Sequence, residues 1–215
     1  MPCGRLARVE SGKWKTPVHE GSEYETISAF TAFILNKYVD AAVHASYLCN
    51  EYGIDTISMG AVIAFAMDCY ESGIITRKDA GGLDLRWGNA DAFIELLKKI
   101  AFKEHGIGEL LGEGTRRASR VIGKGAEKLA MHGKGLEGPA HDPRSGKALA
   151  VTYGTANRGM CHIFNFYLRV ELAAARGTER DVCIYPQCSF FHAAFGAVDI
   201  AYLPPESPYK LNRIL

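Results

Sequence analysis

Asn89-Ala90-Asp91-Ala92-Phe93-Ile94-Glu95-Leu96-Leu97-Lys98-Lys99-Ile100-Ala101-Phe102-Lys103-Glu104-His105-Gly106 carries the clearest periodicity in the chain. Asn89 is a good helix N-cap, and Phe93, Leu96, Leu97 and Ile100 fall on one face at the 3.6-residue period. The spacing predicts a helix over Asp91–Glu104, with Gly106 beyond its end. Working outward, Val39, Val43, Tyr47 and Leu48 recur at helical spacing before Gly53, a natural stop. Ala61–Tyr70 is apolar on most sides, as a buried helix is, and ends at Ser72-Gly73. Gly108–Lys128 reads as one or two shorter helices, and Ile163–Arg176 is helix-like. Residues 1–30 mix charge with Gly and Pro and read as extended or irregular. The Gly-, Pro- and His-rich stretch His132–Arg144 reads as a loop crossing between two helical layers. Pro204, Pro205 and Pro208 exclude regular helix from the final residues. Strands are scarce. The expected fold is all-α, with two packed helical subdomains, residues 1–130 and 131–215.

The chain has 215 residues, and its 25 basic residues almost cancel 24 acidic ones, so nothing electrostatic favours nucleic acid or an anionic membrane. The longest wholly apolar run, Ala61–Met67, is far short of the ~20 residues that cross a bilayer. Met1-Pro2-Cys3-Gly4-Arg5 lacks the apolar core of a secretory signal, and a cytoplasmic location is expected. Six cysteines in such a chain suit buried thiols or metal ligands better than disulfides. Cys49 and Cys69 lie in apolar helical stretches, where a thiol acts as a small hydrophobe.

Asn50-Glu51-Tyr52-Gly53-Ile54-Asp55 puts a glycine and an acid directly after a helix. That is either a plain helix cap or a way of presenting backbone groups and a carboxylate to a polar ring. Further stretches follow in order: Gly21-Ser22-Glu23-Tyr24-Glu25-Thr26, Leu85-Arg86-Trp87-Gly88-Asn89-Ala90-Asp91-Ala92, Gly106-Ile107-Gly108, Gly112-Glu113-Gly114-Thr115-Arg116-Arg117-Ala118, Gly133-Lys134-Gly135-Leu136-Glu137, His141-Asp142-Pro143-Arg144 and Asn157-Arg158-Gly159-Met160-Cys161-His162. As an ordered set over residues 3 to 162, they resemble the aldehyde ferredoxin oxidoreductase family.

The resemblance implies an enzyme that oxidises aldehydes to carboxylic acids at a tungsten (or molybdenum) atom held by two pterins. Electrons pass through a [4Fe-4S] cluster to ferredoxin. It implies that this chain corresponds to the two helical domains, apart from an N-terminal β-rich domain, and is a truncated segment that binds no cofactor stably alone. Cys3-Gly4-Arg5 matches the last cysteine of the family's Cys-x-x-Cys-x-x-x-Cys run, whose first two would precede Met1. A cubane needs four ligands, and Cys188 is the candidate for the distant one. Cys183 stands where that motif, Asp-x-x-Gly-x-Cys, has its pterin-contacting Asp, and Pro186 replaces the Gly. The alternative for this tail is packing cysteines. Asn50, Gly53 and Asp55 match the family's Asp-x-x-Gly-x-Asp pterin contact, with Asn at the first position. The catalytic glutamate is Glu23 or Glu25, and His162 is placed to hydrogen-bond an oxygen at the metal. The other six histidines are read as surface or core. A second functional class is a non-catalytic remnant or helical interaction module that has lost the cofactor. An apolar patch left by the missing domain would favour self-association into a homo-oligomer.

Overall fold

The computed structural model describes residues 6–144 and 147–162. The chain divides into two units: residues 1–141 with 158–160, and residues 142–157 with 161–215. The described residues are mainly helical, as expected, with strands only in two short hairpins.

The first unit opens with an antiparallel pair, β1 (Leu6–Ala7) and β2 (His19–Glu20), and then α1 (Tyr24–Phe30), a short helix in a stretch that its charge, Gly and Pro make look irregular. α2 (Val39–Tyr52) and α3 (Thr56–Glu71) follow, meeting at 120°. α4 (Ala90–Ala101) buries all four apolar residues named from its periodicity, and Phe93 stacks on Phe30 of α1 with ring centroids 6.2 Å apart. Each such side chain taken from water contributes about 2 kcal/mol. α4 ends before Glu104 because Lys103 adopts a left-handed conformation (φ 47°) and Glu104 N–H bonds back to the Lys99 carbonyl at 2.9 Å. Gly106 therefore opens α5 (Ile107–Leu111) instead of closing α4. α6 (Thr115–Ile122), a 3-10 turn at Ala126–Lys128 and the hairpin β3 (His132–Gly133) and β4 (Leu136–Glu137) complete this unit. In the second unit the described helix is α7 (Lys147–Thr155), which buries Leu149 and Tyr153 four residues apart.

α3 is the apolar helix at the heart of the first unit: Met59, Val62, Ile63, Phe65, Ala66, Met67 and Cys69 are all buried. α2 and α3 close with the same spelling, Cys-x-Glu-x-Gly-Ile, at Cys49–Ile54 and Cys69–Ile74. In each, the Gly takes a left-handed φ, 67° at Gly53 and 68° at Gly73, and the Ile N–H reaches back 2.9 Å to the Cys carbonyl. This double hydrogen-bonded stop satisfies carbonyls that the helix end would leave unpaired. Gly60 lets α1 press onto α3, since a Cβ there would stand 2.6 Å from that of Ala29. Among the described residues no single helix is long and apolar enough to cross a membrane.

Burial pushes the Cys49 thiol up to about 12, helped by Asp55, and the Cys69 thiol up to about 11, helped by Asp68. Thiolates are the reactive form, so both should resist a thiol reagent at pH 8 in the folded chain and react once it is denatured. Peptide mapping that finds either labelled under native conditions would contradict this packing.

His44 on α2 titrates below its ordinary value. Burial of its ring outweighs the backbone of Lys15 and Trp14, which favours the charged form, and Lys98 on α4 and His19 on β2 add repulsion. The unfolded chain therefore binds this proton more readily. The contribution to stability is complete above about pH 6.5 and falls away as the pH drops below it. Urea melts should show this loss in the wild type and a flatter profile in His44→Gln. Equal slopes in the two proteins would contradict it.

Candidate functional site

The α2–α3 junction carries three of the residues singled out above. Asn50 lies in the last turn of α2, Gly53 is its left-handed stop, and Asp55 is the N-cap of α3, accepting the Ser58 N–H at 2.7 Å. All three are exposed. The helix-cap role is present, with Asp55 satisfying an orphan N–H of α3.

The two glutamates before α1 part company. Glu23 is exposed and makes no side-chain cap hydrogen bond. Glu25, in the first turn of α1, has a side chain only 12% exposed. Its Oε2 accepts the Ala140 N–H at 2.7 Å, and its Oε1 lies 2.9 Å from His141 Nε2. The Tyr24 ring packs against the His141 ring with centroids 5.6 Å apart, and the Tyr24 hydroxyl donates to the Ala140 carbonyl at 3.4 Å. His141 belongs to the His141-Asp142-Pro143-Arg144 stretch, yet its role could not be read from sequence, because its partner lies 116 residues away and only the fold brings them together.

Other stretches that carry the resemblance make structural contacts. Glu137, 6% exposed, accepts both the N–H and the hydroxyl of Thr115 at 2.9 and 3.0 Å, locking β4 onto the start of α6. Arg158–Met160 returns to the β3–β4 hairpin so closely that a Cβ on Gly159 would stand 2.2 Å from the Gly133 carbonyl oxygen. The Trp87 indole N–H donates to Glu71 at 2.7 Å, pinning the approach to α4 on the end of α3.

His162 is half-buried in the second unit. Cys3, Cys183 and Cys188 lie outside the described residues. Cys49 and Cys69 are buried free thiols, as their apolar surroundings suggested, and Cys161 is a third among the described residues.

The family model described as "Aldehyde ferredoxin oxidoreductase, domains 2 & 3" matches residues 1–196. The chain is 36% identical over 171 residues to the tungsten-containing aldehyde ferredoxin oxidoreductase of Thermococcus kodakarensis, covering 79% of this chain and 27% of that protein. The enzyme of the same name from Pyrococcus furiosus is 37% identical over 171 residues with the same coverage. The WOR-like subunit of an aliphatic sulfonate oxidoreductase from Pyrococcus furiosus is 36% identical over 148 residues, covering 66% of this chain and 23% of that one. Among solved structures, the active-site complex BamBC of benzoyl coenzyme A reductase with 1,5-dienoyl-CoA superposes with a TM-score of 0.61 at 27% identity, over 76% of this chain and 24% of that chain. The chain thus spans about a quarter of the length of these relatives, and the matches place it in the aldehyde ferredoxin oxidoreductase family.

Proposed function

We propose that this chain is the helical portion of an oxidoreductase that converts an aldehyde and water to a carboxylic acid, two protons and two electrons, the electrons leaving through an iron–sulfur cluster to ferredoxin. The observation that carries this reading is the Glu25 carboxylate, nearly buried, with one oxygen hydrogen-bonded to the Ala140 N–H and the other 2.9 Å from His141 Nε2, in a chain of this family. A carboxylate oriented by fixed donors is suited to accept a proton from water or from the hydrated aldehyde. Glu23, exposed and without a side-chain cap hydrogen bond, lacks that preparation among the described residues. His162 would donate a hydrogen bond that orients the substrate oxygen.

The α2–α3 junction fits a pterin by its chemistry. Asp55 is an exposed acceptor for amino and ring N–H groups, and Asn50, also exposed, adds one acceptor and two donors. Asp55, Asn50 and Gly53 would hold the pterin from this side, with Cys183 at the matching place of the second motif and Cys3 and Cys188 as cluster thiolates. When bound, the tungsten-pterin supplies the two-electron acceptor. The likeness to a sulfonate oxidoreductase subunit supports a second reading of the substrate, in which the same base serves a different oxidisable compound.

In the tungsten-loaded whole enzyme, Glu25→Gln should lower aldehyde-dependent dye reduction by about 10²–10⁴-fold with the tungsten content unchanged, and Glu23→Gln should change it little. Wild-type turnover in Glu25→Gln would overturn the assignment of the base.

Asp55 has a separate test, because Asn caps a helix about as well as Asp does. Asp55→Asn should keep the melting temperature yet release pterin more readily, whereas Asp55→Ala should also lose about 1 kcal/mol of stability. Full pterin retention in Asp55→Asn would reduce Asp55 to a cap.

A further inference from the structure

The backbones on either side of the Glu25–His141 contact are held in place without it. On one side, α1 is fixed to α3 by the 2.7 Å hydrogen bond that Thr26 and Thr56 share through their hydroxyls, and by the close approach of Ala29 to Gly60. On the other, the segment leading to His141 is tied down just upstream. Glu137 is bonded twice to Thr115, and Gly138 packs so closely on Met160 that a Cβ there would meet its sulfur at 2.7 Å. The contact is therefore not what joins these elements. What it fixes is the two side chains.

A carboxylate held at one oxygen alone can still turn about its last bond. The Ala140 N–H hydrogen-bonds Oε2, and His141 Nε2 stands 2.9 Å from Oε1 in an ion-pair contact, so the hydrogen bond sets the position of the group and the contact limits its rotation. The Tyr24 ring lies against His141 and so limits its tilt. The His141 side chain is 26% exposed against 12% for Glu25, so the imidazole stands on the more solvent-accessible side of the pair.

We infer that His141 is a positioning residue for the Glu25 carboxylate, holding Oε1 through Nε2 while the Ala140 N–H holds Oε2. The inference rests on the proposed role of Glu25 as the base, which gives that orientation its use. A donor at Nε2 stabilises the charged carboxylate, and its loss makes the carboxylate easier to protonate. Gln reaches to a comparable distance and presents an amide donor, whereas Leu fills similar space with none.

The test follows the Glu25 side-chain carboxyl carbon by 13C NMR in the 215-residue chain as the pH is varied, for wild type, His141→Leu and His141→Gln. The expected result is a titration midpoint about 1 pH unit higher in His141→Leu, largely restored in His141→Gln, with all three proteins folded and His141→Leu melting about 2–5 °C lower at neutral pH, as linkage requires. An unchanged midpoint in a folded His141→Leu would overturn the inference. So would a midpoint in His141→Gln that stays at the His141→Leu value although the protein is folded. Because this titration needs no cofactor, it separates from the Glu25→Gln turnover test: a midpoint that moves together with an active Glu25→Gln enzyme would keep the contact and reject the base.

Discussion

Burial of α3 is the constraint on which the rest of the first unit depends. A helix that is apolar on most sides is stable in water only when other elements cover it, and α1, α4, α6 and β4 all pack against it. Its start is capped by Asp55 and its end by the stop at Gly73, so its length is set at both ends by hydrogen bonds. α1 is pressed against its N-terminal half at Gly60 and Thr56, and Glu25 sits in the first turn of α1. The position of the candidate base is thus inherited from the packing of the core.

Helices with strong periodicity were legible. α4 announced itself through Asn89 and four apolar residues on one face, and α2 through its apolar spacing and Gly53. α1 was not, because it is seven residues long, begins at a Glu that makes no side-chain cap bond, and follows a run of charge and glycine. The end of α4 was misplaced because a lysine supplies the left-handed residue usually given to glycine, a choice that the return of α5 onto α4 enforces: a Cβ on Gly108 would stand 2.4 Å from the Lys99 carbonyl oxygen. The repeated Cys-x-Glu-x-Gly-Ile spelling is visible in sequence, but its meaning as two equivalent helix stops appears only in the hydrogen bonds at Ile54 and Ile74.

The stretches that carry the family likeness divide into builders and candidates for chemistry. Gly159, Gly133, Glu137, Thr115 and Trp87 hold backbone segments together through close approaches and hydrogen bonds. Glu23 and Glu25 are two residues apart in identical local chemistry, and sequence alone gives no reason to prefer either. The difference between them is tertiary: Ala140 and His141 arrive from more than a hundred residues away to meet Glu25 and leave Glu23 to solvent. A carboxylate with such partners is prepared for one orientation, whereas a solvated one must be ordered anew with each substrate.

The central claim is that the fold selects Glu25, and the α2–α3 junction, to face the cofactor. A crystal structure of the tungsten-loaded whole enzyme, with the metal located by its anomalous scattering, tests this most directly. The account predicts the Glu25 carboxylate on the side of the metal, still hydrogen-bonded to the Ala140 N–H and paired with His141, with Asp55 within hydrogen-bond reach of a pterin and Glu23 in solvent. A metal faced by Glu23, or a pterin beyond the reach of Asp55, would contradict it.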